Sequence, residues 1–192
     1  MRSSPRTTPT RVRLGGTAAV LAGLCYGAAG YLDRPGISGY TDALVSVLSV
    51  AIPALFLGGL LGLQARLPDF IRTEDFASSA GIVGFVFGCF GAVLGIAGAL
   101  GLEGTATTFF SWVLLLAGLT LIGLAASSKG ELRLLGAVVS ISGALGWVSL
   151  LTDPAFSSVL VPMRPVHVAF AAAFCLSSVV WGAVLMVPRE NR

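Results

Sequence analysis

Six long apolar stretches, joined by short connections, constrain this chain more than any other feature of its sequence. Each holds at least 18 residues and almost no charge, which is enough for a helix to cross about 30 Å of hydrocarbon. A single stretch can cross only as a helix, because its backbone polar groups must be satisfied without water. The sequence therefore predicts an all-α integral membrane protein with six transmembrane helices, at residues 14–31, 43–63, 79–102, 107–126, 132–151 and 165–187.

Composition supports this class and excludes others. Apolar residues make up 55% of the chain, charged residues 11%, and the mean hydropathy is +0.90. A soluble domain has about 25% charged residues. The net charge of +3 is spread over short connections and does not form a basic patch, so no nucleic-acid partner is expected.

The basic residues predict how the chain is threaded. Ten of the twelve lie in the two termini and in the second and fourth connections, and only Arg34 and Arg164 lie elsewhere. Since Lys and Arg collect on the cytoplasmic side, both termini are predicted to be cytoplasmic, in a bacterial or archaeal plasma membrane. Residues 14–187 then form one membrane domain, between a disordered basic tail (1–13) and a short cytoplasmic tail (188–192).

The first apolar stretch has a second interpretation. A basic tail, an apolar run and the small residues 27–30 are also typical of a secretory signal peptide. The large Leu24 precedes Cys25, where a lipoprotein cleavage site requires a small residue. A retained first helix is therefore favoured, and cleavage would leave the other five helices in the same orientation.

Glycine is unusually frequent and follows a pattern. A seven-residue glycine spacing recurs in the odd-numbered helices, and Gly59, Gly123 and Gly182 precede a basic residue in the even-numbered ones. Three helical hairpins of about 60 residues would explain this rhythm, and so would chance among 25 glycines. In helix 3, small-xxx-small spacing predicts close helix packing, either within the chain, in a homo-oligomer or around a ligand. The candidate packing residues are Gly84, Gly88, Gly91 and Gly95.

Charged and polar residues at and beyond the predicted outer ends of the helices suggest a single candidate cluster. If they converge on the outer face, Arg164 can pair with an acid, and His167, the only histidine, can sense pH. An ordinary interfacial histidine is the favoured alternative. The chain has no second histidine and no cysteine at ligand spacing, so neither a metal nor a cofactor is predicted. The cluster consists of Asp33, Asp42, Glu103, Asp153, Arg164 and His167.

Most aromatic residues near the ends of the helices fit an interfacial belt. Trp112 and Trp147 lie near the predicted outer boundary, and Trp181 lies toward the inner one. The three cysteines all fall inside apolar stretches and are interpreted as small buried hydrophobes.

Function is the least constrained property. No catalytic constellation is present, so an enzyme is not predicted, and no charge lies in the middle of a span, which disfavours proton-coupled transport. The favoured hypothesis is a non-enzymatic membrane protein that assembles, serves a stress response or modulates a partner. The alternative is a small transporter or channel subunit with a polar path near helix 3 and Pro53. The expected partners are membrane lipids, a second copy of the chain or another membrane protein.

This layout of short helices and cytoplasmic ends resembles that of small bacterial membrane proteins of the HdeD type, which are associated with acid stress. The resemblance is one of architecture alone. It assigns no role to any residue.

Overall fold

A computed structural model describes residues 8–32, 41–66, 76–101, 105–128, 133–153 and 164–187. Within these ranges the chain forms six α-helices, all long and apolar enough to span a membrane. The predicted all-α fold and the predicted number of helices of membrane-spanning length are confirmed. The helices are α1 (Thr8–Leu32), α2 (Thr41–Arg66), α3 (Phe76–Ala99), α4 (Thr105–Ser127), α5 (Arg133–Leu151) and α6 (Arg164–Met186).

The first helix begins earlier than predicted. It starts at Thr8, so residues 8–13 are helical and do not belong to a disordered tail. Pro9 stands in the first turn, where its fixed φ suits a helix and its missing N–H costs nothing. Val12 is buried, so this added turn packs against the rest of the bundle. Residues 1–7 and 188–192 of the predicted tails lie outside the described residues.

The third helix ends earlier than predicted. Its last residue is Ala99, and Gly101 follows with a φ of 72°. That left-handed conformation favours glycine, and it closes the helix through a hydrogen bond from the Gly101 N–H to the Gly98 carbonyl at 3.0 Å. The local sequence at Gly101 therefore stops a helix whose apolar pattern would otherwise continue.

The helices form a ring in chain order. Each packs on the helix before it and the helix after it, and α6 packs on α1 to close the ring. Neighbours are antiparallel: Gly15 near the start of α1 meets Gly62 near the end of α2. The end of the bundle at which α1, α3 and α5 end is called the cavity end. The opposite end is called the closed end.

Glycines allow several helix pairs in the ring to touch through their backbones. A Cβ on Gly182 of α6 would lie 2.7 Å from the Gly16 carbonyl oxygen of α1. Gly123 faces Ser140 of α5, whereas Gly59 faces α1 and the Trp181 ring. Gly59, Gly123 and Gly182, the three glycines of the predicted repeat, therefore have different surroundings.

Large side chains fill the closed half of the ring. Leu60, Leu119, Trp181 and Leu185 are fully buried there. The Arg66 guanidinium at the end of α2 donates hydrogen bonds to the carbonyl of Leu185 in the last turn of α6, at 3.1 Å, and to that of Val187 just after α6, at 2.8 Å. These carbonyls lack helical donors, so the arginine ties two helix ends together.

Candidate functional site

Four aromatic rings from four helices meet inside the bundle. The Tyr26 ring lies edge-on to Trp112 at 5.4 Å and to Phe174 at 5.3 Å, measured between ring centroids. Phe56 stacks on Phe174 at 5.7 Å and meets Trp112 at 6.3 Å. Both phenylalanines are fully buried. We call these four residues the aromatic floor, because they separate the closed half from a cavity above them.

The cavity has a volume of about 720 Å³. This lies within the range of small-molecule binding sites, which is roughly 300–1,000 Å³. Five helices, α1 to α4 and α6, contribute to its lining, and Asp153 contributes from the segment just after α5. Tyr26 and Trp112 of the aromatic floor are among the lining residues. Its walls are mainly apolar, with polar side chains added by Ser46, Ser49, Thr108, Ser111, Asp153 and His167.

Pro53 adds a polar group to the wall of the cavity. Because proline has no N–H, the carbonyl of Ser49, four residues earlier, lacks its usual helical donor. Ser49 and Pro53 both line the cavity, and the Ser49 hydroxyl donates to the Val45 carbonyl at 2.9 Å. Gly91 and Gly95 of α3 line the same space. The structure thus brings together helix 3, Pro53 and intramembrane hydroxyls, the residues of the hypothesised polar path.

The four candidate packing glycines of α3 all face other helices of the same chain. A Cβ on Gly84 would lie 2.9 Å from the Gly118 carbonyl oxygen, and one on Gly91 would lie 2.6 Å from the Ser111 carbonyl oxygen, both in α4. A Cβ on Gly88 would lie 2.8 Å from the Leu60 side chain of α2, and one on Gly95 would lie 3.0 Å from Pro53 Cβ. The glycine stripe is covered within the bundle.

His167 ties α6 to α5 at the cavity end. Its Nδ1 lies 3.0 Å from the Ser149 carbonyl oxygen, which also accepts from the Thr152 hydroxyl at 3.1 Å. A carbonyl only accepts, so Nδ1 carries the proton, and in the neutral ring Nε2 is an acceptor. Since α5 ends at Leu151, the Ser149 carbonyl has no helical donor, and His167 caps it from a neighbouring helix.

This contact predicts a modest structural role for His167. Replacing His167 by leucine is expected to lower the free energy of unfolding by about 0.5–1.5 kcal/mol, the net value of one hydrogen bond. His167→Asn keeps a donor close to the position of Nδ1 and should retain most of the stability. Thermal unfolding of the detergent-solubilised protein measures both variants. Equal losses in the two variants would contradict the capping role.

Of the six residues in the predicted polar cluster, the structure brings two to one place. Asp153 and His167 both line the cavity. Asp42 and Arg164 lie in the first turns of α2 and α6, but their side chains are not described, and Asp33 and Glu103 lie outside the described residues. In the described parts of the chain, His, Cys, Asp and Glu side chains form no group of three that could hold a metal ion.

Sequence reasoning missed the aromatic floor. Trp112 was assigned to an interfacial belt, yet it packs inside the ring against Tyr26 and Phe56, and Trp181 is fully buried. The belt assignment is therefore wrong for both tryptophans. An apolar helix in a membrane has no polar face that shows which side turns toward the bundle. The depth of a tryptophan along such a helix therefore does not show whether its ring faces the lipid or the interior of the bundle.

Comparison with protein-family models, with curated proteins and with solved structures finds no match to this chain. The architectural resemblance to the HdeD type gains no support from these comparisons. The cavity itself is therefore the feature of this protein that points to a function.

Proposed function

We propose that this protein is a small membrane carrier that binds a small molecule in the cavity inside its helix bundle. The observation that supports this proposal most strongly is the cavity of about 720 Å³, which is open at one end of the bundle and closed at the other by the aromatic floor. Its apolar walls with a few hydroxyls, one carboxylate and one imidazole have the composition of a ligand site.

The charge pattern supports an orientation for this cavity. It opens where α1, α3 and α5 end and α2, α4 and α6 begin. In the sequence, only Arg34 and Arg164 of the twelve basic residues lie at or between these helix ends. Under the positive-inside rule this end faces away from the cytoplasm, and both termini are cytoplasmic. The host membrane would be a bacterial or archaeal plasma membrane, so the cavity would take its ligand from outside the cell.

A carrier fits the geometry better than an open channel does. In the part of the chain that the structure describes, the closed half is filled by fully buried side chains, namely Leu60, Leu119, Trp181 and Leu185. In alternating access, a carrier in one of its end states has a binding site near the middle of the membrane that is accessible from one side. The polar groups at the wall, including the Ser49 carbonyl freed by Pro53, would orient the bound molecule.

The assembly hypothesis gains no support from the glycine stripe of α3. Packing within the chain, a homo-oligomer interface and a ligand groove are the interpretations that the sequence leaves open for this stripe. That stripe faces α4 and α2 of the same chain, so it does not offer an exposed packing surface.

Cys175 provides a direct test because its side chain lines the cavity, whereas Cys25 and Cys89 do not line it. In lipid nanodiscs, a cationic methanethiosulfonate reagent should modify a Cys175-only variant several times faster than a Cys89-only variant. Such reagents need water at the thiol, and Cys89 lies in a span outside the cavity.

Two substitutions on α6 test whether the reagent reaches Cys175 through the cavity. Ala171→Leu, which narrows the cavity, should slow the modification of Cys175, and Ala169→Leu, on an exposed position outside the lining, should not. Equal rates for Cys175 and Cys89, or no effect of Ala171→Leu, would overturn the proposal of an open binding cavity.

A further inference from the structure

Helices α1 and α6 separate toward the cavity end. A Cβ on Gly23 would lie 2.8 Å from the Cys175 carbonyl oxygen, so the two backbones touch there. One turn later, the nearest atom to a Cβ on Gly27 is the Cys175 sulfur at 3.4 Å, and a Cβ on Gly30 would meet nothing within 4 Å. The three glycines lie three or four residues apart and share one face of α1. The contact therefore opens steadily along that face.

The gap between the two helices leads into the cavity. Gly27 and Gly30 of α1 and Val168 and Ala172 of α6 line the cavity and are also exposed on the surface of the bundle. All four lie within the membrane-spanning segments. We call these four residues the lateral slot. Through it, the cavity opens sideways at the depth of the lipid as well as at its mouth.

The surroundings of the lateral slot are apolar. Leu24 on α1 is 57% exposed and Leu176 on α6 is 67% exposed, so both helices that form the slot present large apolar side chains on the surface of the bundle. Inside, the wall carries Ile52, Leu115 and the Trp112 ring, while hydroxyls and His167 lie among the lining residues. This combination suits a molecule with a long apolar chain and a polar head.

We infer that the ligand is a membrane lipid whose chain passes through the lateral slot from the outer leaflet while its head group meets the polar residues of the cavity. The inference rests on the proposed carrier function and names the substrate class of that site. The slot is narrow at its inner end, because a Cβ on Gly27 would lie 3.4 Å from the Cys175 sulfur. An acyl chain suits such an opening better than a protein helix, which is about 10 Å wide with its side chains.

Trp112 reports on the occupant, because its ring lies inside the bundle and lines the cavity. The experiment places a variant with Trp147→Phe and Trp181→Phe in nanodiscs of phosphatidylcholine brominated on its acyl chains. Bromine quenches tryptophan fluorescence only on close approach. We expect strong quenching of Trp112 by the brominated lipid.

Filling the lateral slot should remove this quenching. Gly30→Leu with Ala172→Leu places two large side chains in the slot, and quenching of Trp112 should largely disappear. The matched control, Ala28→Leu with Ala169→Leu, changes exposed positions of the same helices outside the cavity and should leave quenching unchanged. If the variant with Trp147→Phe and Trp181→Phe does not fold, the native chain is compared with its Trp112→Phe variant instead. The difference in quenching between these two proteins is the quenching of Trp112.

The two experiments separate the inference from the proposed function. Fast Cys175 modification without brominated-lipid quenching would overturn the lipid inference and leave a carrier that fills from water. Quenching that the slot-filling variant does not reduce would also overturn the inference. Absence of both signals would overturn the carrier proposal together with the inference. Quenching that is lost on filling the slot supports the lipid ligand.

Discussion

Replacing Gly118 by alanine is expected to destabilise the helix bundle by about 3 kcal/mol, the upper end of the usual cost of overpacking. Gly118 of α4 lies directly against α3. A single Cβ there would lie 2.6 Å from the Gly84 carbonyl oxygen and 2.6 Å from Gly88 Cα. Both are backbone atoms of a regular helix, so neither can rotate away as a side chain would. The helices must move apart and lose their contact along the whole seam.

A matched glycine gives the control for this effect. Gly30→Ala on α1 adds the same methyl group where nothing lies within 4 Å. It should be neutral or stabilise the helix by about 0.5–1 kcal/mol, because alanine loses less backbone entropy than glycine. Unfolding in mixed micelles of increasing SDS content compares the two variants. Similar stabilities would show that α3 and α4 do not approach as described.

Replacing Phe174 by alanine is expected to cost about 3–5 kcal/mol, the usual cost of truncating a buried aromatic ring. The ring is 1% exposed and packs against Tyr26 and Phe56 of the aromatic floor. Its loss would also leave a space beside Tyr26, which lines the cavity, and so enlarge the cavity. We therefore expect lower stability together with faster modification of the neighbouring Cys175.

Phe110 of α4 provides the comparison. It is 59% exposed on the outside of the bundle, so Phe110→Ala should change stability little. Differential scanning fluorimetry in detergent measures stability, and the thiol reagent used for Cys175 measures access. A Phe174→Ala protein as stable as Phe110→Ala would contradict the role of the aromatic floor.

The sequence was sufficient for the helices but not for their faces. Apolar length predicted all six spans, and the errors fell at Thr8 and Gly101, where local backbone chemistry decides the boundary. The small-xxx-small spacing correctly marked α3 as a close-packing helix, but it left the partner helix open. Only the three-dimensional structure assigns that partner as α4, with α2 touching Gly88 and Gly95.

The cavity was harder to predict than the helices. Pro53 and the serines were visible as an alternative polar path, since they are unusual inside apolar stretches. The aromatic floor was not visible, because Tyr26, Phe56 and Phe174 come from three helices with no shared motif. The splay of α1 from α6 depends on contacts between residues about 150 positions apart. Periodicity along one helix carries no information of that kind.

The side of the membrane on which Cys175 can be reached tests the central claim most directly. The Cys175-only protein, made with Cys25→Ser and Cys89→Ser, is placed in right-side-out and in inside-out membrane vesicles. An impermeant cationic methanethiosulfonate reagent is then added outside the vesicles. A cavity that faces away from the cytoplasm predicts rapid modification in right-side-out vesicles and little in inside-out ones. Modification only in inside-out vesicles, or in neither preparation, would contradict an outward-open binding cavity.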